Sequence, residues 1–309
     1  MTAVASPPRV ATPQTPRRAR RGAKYYLTVA LFLLPSLVPL VAFSIAPMLS
    51  ALWTSFHEWN LIGPMHWVGL DNYVHLLTDP ATGRIFLHTL FYIAGVLPLT
   101  YVGGLALALA LNTRMRGRAL LRGVYFLPVI TSWVVVALVW RWLLNPGNGI
   151  VNTVLGFFGI DGPGWWADPA WSIPSIILAS AWKDVGFTMV ILLAGLQTIN
   201  PDLYEAAELD GAGWWRRLFS VTLPMLSPST FFVVILGLIN GFQVFDQVYV
   251  LTGGGPDNSS RVVVQQVYDL TFRYGQAGMA SALSWLLFGA ILLVTLFQFI
   301  GQKKWVHYA

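Results

Sequence analysis

Residues 86–111 read FLHTLFYIAGVLPLTYVGGLALALAL, a run without a single Asp, Glu, Lys or Arg. A helix rises about 1.5 Å per residue, so ~20 apolar residues cross a hydrocarbon core ~30 Å thick, and this run is long enough. Lipid offers no water to backbone N–H and C=O groups, which leaves only helices and closed barrels as spanning structures. An unbroken run of this length fits a helix rather than the ~10-residue alternating strands of a barrel. Comparable runs occupy residues 27–48, 120–144, 173–196, 230–251 and 280–300. The expected fold class is therefore an all-α membrane protein with six transmembrane helices.

Composition agrees. Of 309 residues, 56% are hydrophobic and 10% charged, with mean hydropathy +0.62, where a soluble domain carries about 25% charge. The charges sit in short clusters between the apolar runs. A net charge of +6 would suit nucleic acid in a soluble protein, but here the basic residues flank apolar runs and form no aromatic-basic face, so no nucleic-acid partner is expected and membrane lipid is. The absence of cysteine excludes disulfides, thiolate metal sites and thiol nucleophiles. None of the four lysines lies in a Gly-x-x-x-x-Gly-Lys-Ser/Thr loop, so this chain has no phosphate cradle of that kind. The five histidines form no His-Glu-x-x-His pair, and Gly-x-Ser-x-Gly is missing. No catalytic residue, metal site or cofactor is expected on this chain.

Residues 1–24 are rich in Pro, Arg and Ala, with Pro7, Pro8, Pro13 and Pro16 against regular structure. They read as a disordered cytoplasmic tail, followed by one membrane domain over residues 25–309. Basic residues before an apolar stretch also describe a signal peptide, with Ser44-Ile45-Ala46 as a loose cleavage site. The run 27–48 exceeds a ~7–15-residue signal core and Pro47 follows the supposed cut, which favours a retained first span.

Counting Lys and Arg sets the orientation. Fourteen lie in the N-terminal tail, the second-to-third and fourth-to-fifth connections and the C-terminus, against four on the opposite face. That asymmetry places both termini in the cytoplasm of a multi-pass protein of the cell membrane. The opposite face carries Trp53, Trp59, Trp67, Trp165, Trp166 and Trp171, the residue type that settles where rings meet headgroups, although such rings also stack on sugars. Residues 149–159 have the pattern of a short interfacial helix on that face.

The cytoplasmic connection at about 197–227 holds the most informative stretch, residues 200–211, NPDLYEAAELDG. Asn200 suits an N-cap, Pro201 the first helical position and Gly211 a left-handed stop. A second short helix through Trp214 and Phe219 is expected to break at Leu223-Pro224 before span five. The loop thus reads as a helix-turn-helix.

At these residues the chain resembles the membrane subunits of ATP-binding-cassette importers. Their hallmark, the EAA motif, is Glu-Ala-Ala, three residues, Gly, nine residues, a branched aliphatic, one residue, then Leu-Pro. Glu205, Ala206, Ala207, Gly211, Val221, Leu223 and Pro224 match every element. A second likeness, Phe245-Asp246 through Thr252-Gly253-Gly254-Gly255-Pro256 with Tyr268, Phe272 and Gly278 to Ala282, is to the carbohydrate-uptake branch. The resemblance implies a pore-forming permease subunit that pairs with a second homologous permease. It further implies two ATPase subunits that bind ATP and Mg and dock on the EAA loop, and an external sugar-binding protein that delivers a sugar or sugar derivative.

Within span five, at 100° per residue, Asn240, Gln243, Asp246 and Gln247 fall on an arc of about 120°. Such a stripe is either a substrate path or a set of interhelical hydrogen bonds. Lys183 and Asp184 in span four point ~100° apart, so each requires a partner elsewhere, in a pore or at a subunit interface. A secondary transporter of a polar solute is the alternative function. It is expected to show paired halves with matching broken helices, and only Leu127-Pro128 and Leu223-Pro224 hint at a repeat. A membrane enzyme would need carboxylates clustered on one membrane face, which are not seen.

Overall fold

The computed structural model describes residues 23–113, 115–304 and 306. The expected disordered tail lies outside them except for Ala23 and Lys24, which already belong to the first helix. The chain divides into two units, residues 1–50 and 51–309.

In the first unit, α1 (Ala23–Leu40) continues through a π-helical turn, Val41–Ile45, into α2 (Ala46–Thr54). Pro35 and Pro39 inside α1 and Pro47 in α2 each withhold an N–H from the ladder. The Ala46 N–H donates to the Val41 carbonyl, five residues back, the wider ring of a π-turn. Residues 27–54 form one apolar helical segment long enough to span.

The second unit begins within α2 at Ala51 and continues into a hairpin, β1 (His57–Glu58) and β2 (His66–Trp67), paired antiparallel. Then come α3 (Asp71–Thr78), α4 (Pro80–Leu111), α5 (Arg118–Ile130), α6 (Trp133–Leu143), α7 (Ile150–Phe157), α8 (Ser172–Leu196), α9 (Pro201–Leu209), α10 (Trp214–Arg217), α11 (Leu223–Met225), α12 (Ser227–Phe242), α13 (Asp246–Leu251), α14 (Val263–Tyr268) and α15 (Ala277–Gly301). Asp79 caps α4 by accepting from the Ala81 and Thr82 N–H groups, and the Ala81 bond in particular holds its carboxyl below the usual carboxylate range.

Two of the six spans differ from the continuous helices expected. Residues 118–143 bend by 96° between α5 and α6. The break follows Pro128, and Thr131 and Ser132 leave helical geometry, as Pro near a helix end favours. The second bend, 67°, falls between residues 214–225 and 227–242. It was expected at Leu223-Pro224 and lies instead at Leu226. A π-helical turn at Leu218–Thr222 carries the helix past the donor missing at Pro224, and the Leu226 N–H closes on the Thr222 carbonyl at 2.8 Å. Among the described residues, four unbroken helices and these two bent pairs, each taken as one span, give up to six apolar spans. The expected span 230–251 also breaks, at Gln243 to Phe245.

Small residues bring the helices together. A Cβ on Gly95 or Gly104 of α4 would strike Ile177 or Thr188 of α8, so these two helices run in the same direction. Gly237 and Gly241 of α12 face Leu97 and Ile93 of α4, which makes α12 antiparallel to α4. On α8, Gly186 meets the Tyr125 backbone of α5. Glycine removes the Cβ that would hold such backbones apart, the usual basis of close helix packing in lipid. One apolar core joins Ile93, Ile176, Val248, Leu251 and Leu283, and a second joins Leu111, Met189, Leu192, Leu196 and Leu226. The stretch expected to form an interfacial helix is α7. Trp165, expected among headgroups, is instead 9% exposed and donates its indole N–H to Asn152 Oδ1 at 2.5 Å.

Candidate functional site

Two regions collect the polar residues that the sequence singled out. The first is a cavity of about 440 Å³ among α4, α5, α6, α8, α12 and α13. Its wall includes two interruptions of regular backbone, Val129 and Trp133 on either side of the α5–α6 break and Gln243, Val244 and Phe245 between α12 and α13. Irregular backbone at membrane depth is tolerated where it lines a cavity or is buried in protein, because its N–H and C=O groups need partners there. Asn240, Gln243, Asp246 and Gln247 all line the cavity, although the continuous helix assumed for their common arc ends at Phe242.

Their roles divide. Asn240, Gln243 and Asp246 are exposed and face open space. Gln247 is buried and donates from Nε2 to Tyr92 Oη at 3.1 Å, so it ties α13 to α4. Lys183 and Asp184 stand on the same cavity wall. The Lys183 ammonium donates to the Val129 carbonyl at 2.8 Å and lies 4.9 Å from the centroid of the Trp133 ring. Tyr92, Thr100, Trp133 and Thr188 complete the polar lining and were missed in the sequence. Each sits in an apolar run whose neighbours give no sign of which face meets a cavity. Among the described residues, no three His, Asp or Glu side chains converge as a metal would require.

The second region is the loop at residues 200–225. Asn200 accepts from the Asp202 N–H at 3.1 Å, with Pro201 opening α9. The helix ends at Gly211, φ +71°, where the Ala212 N–H reaches the Ala207 carbonyl and the Gly211 N–H the Glu208 carbonyl. These are the two bonds of a Schellman stop, which needs a left-handed residue. Two links hold α9 to the following helix: Arg217 donates to Glu208 at 3.0 Å, and the hydroxyls of Tyr204 and Thr222 meet at 3.2 Å. Glu205 and Ala206 are exposed and Ala207 half-buried, while Leu223 and Pro224 lie half-buried at the root of span five. Leu209 is 90% exposed, and Trp214, Trp215 and Phe219 all show more than half their surface. Trp214 and Trp215 pack edge to face and Trp215 stacks on Phe219, so this loop presents an exposed aromatic group.

Residues 101–306 match the profile of a family described as "Binding-protein-dependent transport system inner membrane component". Over 271 residues the chain is 34% identical to the trehalose/maltose transport system permease protein MalF of Thermococcus litoralis, covering 86% of this chain and 90% of that one. It is 33% identical over 291 residues to the trehalose transport system permease protein SugA of Mycobacterium tuberculosis, covering 93% and 92%. Its fold is similar to a chain in the crystal structure of a bacterial ABC transporter involved in the import of the acidic polysaccharide alginate, with a TM-score of 0.79 at 26% identity, covering 91% of this chain and 96% of that one.

Proposed function

This chain belongs to the family of binding-protein-dependent transport system inner membrane components, and we propose from that premise that it forms one half of the pore of an ATP-driven importer of a sugar or sugar derivative. The single observation that carries the reading is the cavity where two broken spans meet, with Asn240, Gln243 and Asp246 offered to its interior. A polyhydroxylated cargo asks for hydrogen-bond donors and acceptors in such a space, and an amide supplies both. Names of relatives support the cargo class, since MalF and SugA are described as trehalose or maltose permeases. In this reading a second, homologous permease completes the pore. Two ATPase subunits dock on residues 200–225 and hydrolyse ATP with Mg. A binding protein delivers the cargo from outside, with both termini in the cytoplasm.

The mechanism follows from the loop. The short helix α9, closed at both ends and tied to its neighbour through the hydroxyls of Tyr204 and Thr222, moves as a rigid body with the base of span five. Closure of the ATPase pair then displaces α12, one wall of the cavity. Co-expression with its partners and reconstitution in vesicles tests this. ATP-dependent uptake of labelled saccharides in the presence of the binding protein is the expected result. Uptake by this chain alone, driven by an ion gradient without ATPase subunits, would favour a secondary transporter.

A further inference from the structure

We propose that Lys183 is a positioning residue that pins the broken third span, and through it fixes the wall of the cavity formed by α6 and α13. The carbonyls at the end of α5 make the case. A helix end leaves its last carbonyls without intrahelical partners, and in lipid each must be met. Thr131 Oγ1 donates to the Leu127 carbonyl at 3.2 Å. The Thr131 N–H donates to the Pro128 carbonyl at 3.2 Å. The next carbonyl, Val129, is taken by Lys183 at 2.8 Å from the other side of the helix pair.

The ammonium is well placed for this. A cation at a helix C-terminus meets the negative end of the helix dipole, and the Trp133 ring on the far side of the break adds a cation–π contact. One side chain therefore touches both arms of the bend. Lys183 is 4% exposed, so its charge is spent on the break rather than offered to cargo. The register is fixed one turn away, where Gly186 lets α8 approach the Tyr125 backbone. Beyond the bend, Arg141 of α6 donates to the Val250 carbonyl of α13 at 3.2 Å. The arm held by Lys183 thus carries the far segment of span five with it.

The test uses the assembled importer, with partner subunits freed of cysteine, and this chain, which has none. Spin labels go on Gly123→Cys in α5, where a Cβ meets nothing, and on Leu138→Cys in α6, 53% exposed. The wild-type background is expected to give one narrow distance distribution. Lys183→Met is expected to lose that single peak, and Lys183→Arg, which keeps the cation, to restore it. ATP hydrolysis in the absence of cargo should rise in Lys183→Met and fall back in Lys183→Arg. A Lys183→Met distribution as narrow as wild type overturns the proposal. Should that variant fail to assemble, Trp133→Leu removes the ring while leaving the carbonyl bond, and an unchanged distribution there overturns it equally. The distance measurement stands whether or not the complex carries sugar, so its failure is distinct from failure of the importer reading.

Discussion

Gln243 and Gln247 lie one turn apart in sequence and have opposite surroundings. Gln247 is buried against Tyr92, whose hydroxyl its amide satisfies, while Gln243 is exposed to the cavity. Gln247→Leu removes one hydrogen-bond partner of the buried Tyr92 hydroxyl, at a cost of about 0.5–1.5 kcal/mol, and should lower the melting temperature of the purified complex. Gln243→Leu should leave that temperature unchanged and reduce the initial rate of uptake by roughly tenfold, the equivalent of about one lost hydrogen bond to cargo. Thermal melts and uptake assays on the same preparations check both expectations, and a destabilised Gln243→Leu would mean that it too is a packing residue. The sequence placed all four polar residues of span five at one locus without separating these roles. Adjacency showed that Lys183 and Asp184 point apart. That the partner of Lys183 is a backbone carbonyl 54 residues away is written in the three-dimensional break and in no local pattern.

The elements most legible from sequence are those closed by local chemistry. The Asn200-Pro201 start and Gly211 stop of α9 were readable because caps and a left-handed glycine act within a few residues. The 96° bend in span three was not, since hydropathy averages over a window and both arms are apolar. The shift of the second bend from Pro224 to Leu226 has the same root: a π-turn reassigns hydrogen bonds without changing composition. Gly211→Val forces a β-branched residue to φ +71°, at a cost of roughly 1–2 kcal/mol, and should misdirect the helix that follows. We expect ATP hydrolysis to persist or fall modestly while uptake per ATP drops severalfold. Glu208→Ala removes only an exposed ion pair, its carboxylate side chain 73% exposed, worth at most about 1 kcal/mol, and should keep near wild-type coupling. Measured together in vesicles with subunit stoichiometry, equal coupling in Gly211→Val and wild type would remove the loop from the transmission path.

Across the molecule, glycine contacts and basic residues give one consistent topology. The contacts make α4 and α8 parallel and α12 antiparallel to α4, as alternating spans two, four and five must be, and the proposed orientation, drawn from the excess of Lys and Arg, has the connections before α5 and after α8 inside. A cysteine at Ile62, 94% exposed on the hairpin loop, should react with an impermeant maleimide in intact cells, and one at Arg118 only after permeabilisation. The reverse pattern would invert the importer. In the proposed mechanism the cargo passes through the cavity between the two broken spans. The most direct test places single cysteines at Asn240 and Gln243 in this cysteine-free chain, within the assembled importer in vesicles. A small charged thiosulfonate should modify both positions, more rapidly while ATP is being turned over, and modification should stop saccharide uptake with all subunits still associated. Cysteines that stay unreactive in the cycling importer, or that react fully while uptake continues at the unmodified rate, would contradict it.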